Sequence, residues 1–280
     1  MRSLLAVPAT NPRFVEKAAA SAADAVFLDL EDAVVPELKV EGRAKAVAAI
    51  NGVDWGTKKL AVRVNDLVSP WGHEDLMLLA REAKRLDFVI VPKMGSASDV
   101  QKVESLVEGS GLGIAALLET ARGVAHAEAI AAGSDRMMAM LFGPGDYALD
   151  LGILDGSADT SFAQARIANA CHAYGLAAID GPYFDIANSD GCRASCKRAA
   201  SMGFAGKMAI HPTQVDVANE AFSPTIEQVA WANNVLQAME AAGLEGRGAV
   251  KTKDGQMIDL VHIRIARGVL ERAKQNKPRR

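Results

Sequence analysis

The sequence predicts an α/β fold: a (β/α)8 TIM barrel with a helical and hairpin extension at its C-terminal end. Three observations lead there. Short, almost continuously apolar runs alternate with amphipathic stretches along most of the chain. Such runs suit strands buried on both faces of a parallel sheet. Eight strand–helix units in roughly 220 residues match the size of such a barrel. The first turn, PATNPR, lacks the glycine-rich loop expected of an open doubly wound sheet.

The elements follow in order. SLLAVP (3–8) reads as a strand, and PRFVEKAAASA as a helix with Pro12 in its first turn. AVFLDL (25–30) is a strand, then PELKVEGRAKAVAAI a helix. KLAVRV (59–64) is a strand, then PWGHEDLMLLAREAKR a helix. FVIVPK (88–93) is a strand, and SASDVQKVESLVE a helix opened by capping-type Ser and Asp. GIAALLE (113–119) precedes the helix VAHAEAIAA. MMAMLFG (137–143) precedes SFAQARIANACHAYG. LAAID (176–180) precedes a helix from Asp190 to Met202. AGKMAI (205–210) is the eighth strand, with a helix from about Gln214.

The barrel is expected over residues 1–224 and the extension over 225–280. In the extension, 225–243 reads as an amphipathic helix ending at Gly243. GLEGRGAVKTKDGQMID suggests a hairpin by its turn signals, 260–274 reads as helix, and QNKPRR as a frayed tail.

Composition narrows the function. Half the residues are hydrophobic and 23% are charged, which is ordinary for a large globular core. A formal net charge of −3 gives no reason to expect nucleic acid or an anionic membrane as partner. No run approaches the roughly 18 apolar residues of a membrane span. Three scattered cysteines fit a reducing compartment better than a disulfide framework. A soluble, cytoplasmic protein is expected.

In such a barrel the active site lies at the C-terminal ends of the strands. There the sequence places Asp29, Glu31 and Asp32 (DLED), Arg63 and Asn65, Lys93, Glu119, Asp146, Asp180 with Asp185 beyond it, and His211. Carboxylates crowded at one mouth repel each other, and a divalent cation removes the conflict. Glu119 and Asp146 end consecutive strands, which lie about 5 Å apart in a sheet. Two carboxylates, with water and substrate oxygens completing the shell, suit Mg2+. The lack of paired His or Cys motifs argues against zinc. Any one of these acids alone could simply cap a helix.

The chain resembles the citrate lyase β-subunit-like group of the HpcH/HpaI aldolase superfamily, which includes malyl-CoA, citramalyl-CoA and citryl-CoA lyases. The blocks that carry the resemblance are RSLLAVPATNPRFVEKA, DAVFLDLEDAVVPELK, VRVN, VPK, LLETARG, LFGPGDYALDLG, AIDGPYFDIANSDG, GFAGKMAIHPTQ and GAVKTKDGQMID. The resemblance implies Mg2+ held by Glu119 and Asp146, with Glu31 and Asp32 bonding metal-bound water and Arg63 on the reacting oxygens. It implies Asp259 as the acid/base carboxylate, on a lid that reaches a neighbouring subunit's barrel. Asp259 would then act in trans in a homo-oligomer, a trimer or hexamer. MIDLVHIRIA lacks the proline that often follows MID in relatives.

The expected reaction is retro-Claisen cleavage of a 3-hydroxyacyl-CoA to acetyl-CoA and a 2-oxo acid. Arg63 suits either the thioester enolate oxygen or the oxo-acid carboxylate. Proton transfer by Asp259 asks for a pKa raised by burial. Arg13 and Lys17, four apart on the first helix, are candidates for the CoA phosphates; a solvated helix face explains them equally well. Two other readings are a citrate lyase β subunit acting on an acyl-carrier-protein-bound substrate, and a metal-dependent aldolase for free 2-oxo-4-hydroxy acids. A Schiff base on Lys93, a dinucleotide loop at GSGLG and a zinc site at Cys192 and Cys196 are set aside.

Overall fold

The computed structural model describes residues 1–241, 249–251 and 257–275. The first strand–helix units are β1 Ser3–Pro8, α1 Pro12–Ala20, β2 Ala25–Asp29, α2 Lys39–Gly52, β3 Lys59–Arg63, α3 Gly72–Glu82, β4 Phe88–Val91 and α4 Ala97–Leu106. The series continues with β5 Gly113–Leu118, α5 Ala121–Ala125, α6 Ala127–Ala131, β6 Met137–Phe142, α7 Pro144–Asp150 and α8 Ser161–Ala173. It closes with β7 Ala177–Asp180, α9 Ser189–Ser201, β8 Gly206–Ala209 and α10 Thr213–Ala221. Beyond the barrel lie α11 Ile226–Ala241, β9 Ala249–Lys251, β10 Met257–Asp259 and α12 Leu260–Gln275.

β1 to β8 form a closed, all-parallel barrel in sequential order. The period of two along each strand divides the core. Leu4, Ala25, Phe27, Ala61, Phe88, Ile90, Ala115, Leu117, Leu141, Ile179 and Met208 fill the interior. Their neighbours, such as Val26, Leu28, Val62, Val89 and Leu118, face outward against the helices. The inward series on β2 runs Ala25, Phe27 and then Asp29. On β3 it ends at Arg63, and beyond β5 it reaches Glu119. The same alternation that packs the barrel therefore sets charged groups on its upper layer.

The structure departs from the sequence reading in three places. The segment from Pro36 opens as a 3-10 turn, Pro36–Leu38, before α2 begins. The helix expected over VAHAEAIAA is two five-residue pieces joined at His126, whose Nδ1 lies 2.8 Å from the Gly95 carbonyl. α7 follows β6 directly, opened by Pro144 at its first turn.

The chain divides into two compact units, Met1–Phe222 and Ser223–Arg280. In the second, α11 and α12 pack around Ala232, Val235, Met239, Ile258, Ala266 and Val269. β9 and β10 pair antiparallel, as Met257–Lys251, Ile258–Val250 and Asp259–Ala249. Gly243, the connecting residues of the hairpin and the NKPRR end lie outside the described residues.

Barrel closure depends on a small residue where β8 meets β1. A Cβ on Gly206 would stand 2.2 Å from the Met1 carbonyl oxygen and 2.7 Å from that of Arg2. Backbone cannot swing aside as a side-chain tip can. Gly206→Ala is expected to cost about 1–3 kcal/mol of stability, read as a lower urea midpoint with unchanged slope.

Candidate active site at the barrel mouth

A cavity of about 400 Å³ opens at the C-terminal end of the barrel. Asp29, Asp32, Arg63, Glu119 and Asp146 line it together. Asp29 and Arg63 are register partners across β2 and β3. The pairing becomes a two-pronged clamp. Arg63 Nε donates to Asp29 Oδ1 at 2.8 Å and Nη2 to Oδ2 at 2.6 Å. Such forked pairs fix a guanidinium in plane. Arg63 also approaches Glu31 Oε2 and Asp32 Oδ2, each at 3.1 Å. Burial works against its charge, but Asp29, Glu31 and Asp32 raise its pKa further above the ordinary value.

Glu31 is held from two more sides. Lys93 Nζ donates to its Oε1 at 2.7 Å. Lys39, itself buried, donates to the carbonyls of Leu30 and Glu31 at 2.8 and 2.6 Å, fixing the turn that presents the acid. Glu31 Oε2 is nevertheless buried with no hydrogen-bond partner. Lys93 has a φ of 51°, the left-handed region that side chains other than glycine's rarely occupy. Such strain persists where surrounding structure enforces it. Here the Lys93 N–H donates to Glu119 Oε1 at 3.0 Å, so one residue ties both acids.

Glu119 is only 1% exposed. Burial, then the negative charges of Glu31 and Asp146, push its pKa up to about 8. Asp146 sits in the first turn of α7. Gly143 is what lets the two segments meet: a Cβ there would lie 2.5 Å from both Cβ and Oε2 of Glu119.

This donor set suits a hard divalent cation. Among the described residues no three His, Cys, Asp or Glu side chains are arranged around one metal position. Glu119 and Asp146 offer two carboxylates on one cavity, and the nearby Glu31 Oε2 is ion-paired with Arg63 Nη1 at 3.1 Å but accepts no hydrogen bond. Two acids with water completing the shell is the Mg2+ pattern.

A family model for HpcH/HpaI aldolase/citrate lyase matches residues 2–212. The chain belongs to this family. It is 39% identical over 295 aligned residues to an L-malyl-CoA/β-methylmalyl-CoA lyase of Cereibacter sphaeroides, covering 95% of this chain and 92% of that protein. It is 38% identical over 276 residues to a (3S)-malyl-CoA thioesterase of the same species, covering 98% and 94%. Among solved structures, protein CitE of Mycobacterium tuberculosis, determined with magnesium, acetoacetate and coenzyme A, aligns with a TM-score of 0.81. That match is 32% identical and covers 98% of this chain and all of the other.

In this HpcH/HpaI-family barrel not every residue from the strand-end list reaches the mouth. Asp180 faces outward, where it accepts from Lys207 Nζ at 2.5 Å and Gln164 Nε2 at 2.8 Å. Asn65 is buried against Asp75. His211 Nδ1 sits 2.8 Å from the Thr213 hydroxyl at the start of α10. Lys93 is held charged: burial opposes it, and Glu31 outweighs burial and raises its pKa. That leaves it unsuited to a Schiff base. Cys171, Cys192 and Cys196 are unpaired and buried. Arg13 and Lys17 are exposed on α1 and form no ion pair among the described residues.

Asp259 belongs to the second unit, at the end of β10. Its Oδ1 accepts from the N–H groups of Val261 and His262 at 2.9 and 3.2 Å, and lies 2.7 Å from His262 Nδ1. His262 holds the carboxyl below its usual range. Within one chain, capping and water therefore give the reverse of the raised pKa expected from the sequence.

Sequence reasoning missed the clamp on Arg63. Asp29 was visible as a strand-end acid, but its partner depends on the β2–β3 register. The buried Lys39 was missed because it stands within a helix rather than at a strand end.

Glu119 gives the metal-free protein a pH signature. The unfolded chain loses this proton near 4.5 and the folded chain near 8, so folding takes up a proton between them. Metal-free stability is expected to fall as pH rises across that window. Glu119→Gln should flatten the slope; denaturant unfolding at several pH values in EDTA measures it.

Proposed function

We propose that the chain is a Mg2+-dependent carbon–carbon lyase. It cleaves a 3-hydroxyacyl-CoA of the malyl-, citramalyl- or citryl-CoA type to acetyl-CoA and a 2-oxo acid. The observation that carries this reading is Glu119: a carboxyl buried to 1% exposure beside Asp146 and Glu31, on the cavity that also holds the clamped Arg63. The Cereibacter sphaeroides lyase and CitE support the substrate class.

Glu119 and Asp146 would hold the ion, with Glu31 and Asp32 bonding its water. When bound, Mg2+ supplies Lewis acidity for the oxygen on which charge develops. Arg63 contributes a fixed, permanently charged edge. Its Nε and Nη2 are committed to Asp29 and its Nη1 lies 3.1 Å from Glu31 Oε2, so the guanidinium would meet the substrate oxygens with its position already fixed. That edge stabilises either the enolate oxygen of the leaving acetyl thioester or the carboxylate of the oxo acid. In the forward direction the hydroxyl gives its proton to solvent water. The adjacent C–C bond breaks with its electron pair passing to the acetyl thioester as an enolate, while the hydroxyl carbon becomes the oxo acid's carbonyl. The enolate carbon then takes up a proton. Asp259 delivers that proton from a neighbouring subunit of a homo-oligomer, a trimer or hexamer. Cover by the neighbour's barrel would strip water from it and raise its pKa. Arg13 and Lys17 are our candidates for the CoA phosphates. No described helix is long and apolar enough to cross a membrane, and the buried, unpaired thiols support a cytoplasmic setting.

Hydrolysis of the thioester is a second reading, supported by 38% identity to the thioesterase over 98% of this chain. Mass spectrometry separates the two. Malyl-CoA with Mg2+ should give acetyl-CoA and glyoxylate; malate with free CoA as the main products would favour the thioesterase. Turnover of soluble acyl-CoA by the isolated chain would also count against dependence on an acyl carrier protein. Asp146→Asn is expected to lower Mg2+-dependent turnover at least ~100-fold with an unchanged circular dichroism spectrum; full activity would refute the metal assignment. Mixed Asp259→Ala and Glu119→Ala subunits should recover part of the activity that each lacks alone. No recovery after verified subunit exchange would refute action in trans.

A further inference from the structure

The helix that carries Asp146 is thinly anchored. Tyr147 is the one buried residue of α7, set edge-on to Phe142 with ring centroids 5.6 Å apart. The entry to α7 is fixed where the Gly143 N–H donates to the Leu118 carbonyl at 3.0 Å. At the other end Leu149 and Asp150 are exposed, and Gly152, at a φ of 74°, donates its N–H back to the Leu149 carbonyl and ends the helix. Rotation of so short a helix about its axis decides where Asp146 points. A contact at this far end bears on that rotation. Asp150 Oδ2 accepts from the Ala121 N–H at 2.7 Å. Ala121 opens α5, two residues after Glu119. An amide in the first turn has no partner inside its own helix. Thr120 Oγ1 takes the Gly123 amide at 3.0 Å and leaves that of Ala121 to an acceptor from outside. Asp146 and Asp150 are four apart, so they share one face of α7. The acid that hooks the end of β5 and the acid beside Glu119 are therefore turned the same way.

We infer that Asp150 is a positioning residue for the divalent site: its hydrogen bond to Ala121 fixes the rotation of α7 and so keeps the Asp146 carboxylate beside Glu119. This rests on the reading that these two acids hold the ion, and deepens it. The bond lies at the surface, where water competes for both partners, so it adds little net stability. Its effect is geometric. It ties the segment that follows one acid to the helix that bears the other, within a single chain, whatever a neighbouring subunit covers. A small, strict ion held by two carboxylates tolerates little misplacement of either. Groups that orient metal ligands without touching the metal commonly change its affinity about 10- to 100-fold.

The test is Mn2+ binding to the full chain, measured by calorimetry on wild type, Asp150→Ala and Asp150→Asn at a temperature where circular dichroism shows all three folded. Asp150 is exposed, and neither substitution touches the buried Tyr147. Asp150→Ala removes the acceptor and should weaken Mn2+ binding about tenfold. Asp150→Asn keeps an oxygen for the Ala121 N–H and should restore most of the affinity. A purely structural role would lower the melting temperature of the alanine variant and leave its Mn2+ affinity unchanged; that result would overturn the inference while the metal site stands. Equal weakening by both variants would also overturn it, because the charge of Asp150 and not its hydrogen bond would then act on the ion. A wild-type chain that binds no Mn2+ would overturn the metal reading itself, and the inference with it.

Discussion

The site rests on an imbalance of charge created by the barrel's own periodicity. Strands that alternate inward and outward residues pack an apolar interior and then, one step higher, aim acids into the same enclosed space. Asp29 and Glu119 extend the series that below them consists of Phe27 and Leu117. Buried carboxylates near each other cannot all ionise without compensation. The protein supplies part of that compensation from Arg63 and Lys93. For Glu119, burial and the charges of Glu31 and Asp146 outweigh the help of Arg63 and the Lys93 amide, and its pKa rises to about 8.

The supporting residues serve this arrangement rather than general stability. Arg63 could not be presented as a fixed edge without the forked contact to Asp29, which the strand register provides. Lys93 accepts an unfavourable backbone conformation and in return meets Glu119 with its amide and Glu31 with its ammonium. Lys39 holds the turn before Asp32 by its carbonyls. Pairs this enclosed contribute little net stability, because desolvation offsets attraction. Their value lies in fixed geometry at the place where charge would develop.

Much of this was legible in the sequence because the signal is periodic. Continuous apolar runs ending in a charge gave the eight strands and, at their tips, Glu119, Asp146, Arg63 and the DLED acids. The reading went astray where a residue's direction depends on where its strand stops. Asp180 ends β7 as Glu119 follows β5, yet it points outward to Lys207. The α5–α6 break at His126 and the left-handed turn at Lys93 arise from tertiary contacts with Gly95 and Glu119. Local propensity carries no trace of either. The state of Asp259 was also out of reach, since the histidine three residues on captures the carboxylate that the motif offers.

The central claim is that the barrel mouth is built around one divalent ion between Glu119 and Asp146. Titration of the full chain with Mn2+, followed by electron paramagnetic resonance, tests it directly. The account predicts one bound ion per chain, displaced by Mg2+ and lost when both acids are replaced by their amides. An ion that still binds with full affinity to that double variant, or a wild-type chain that binds none, would contradict it.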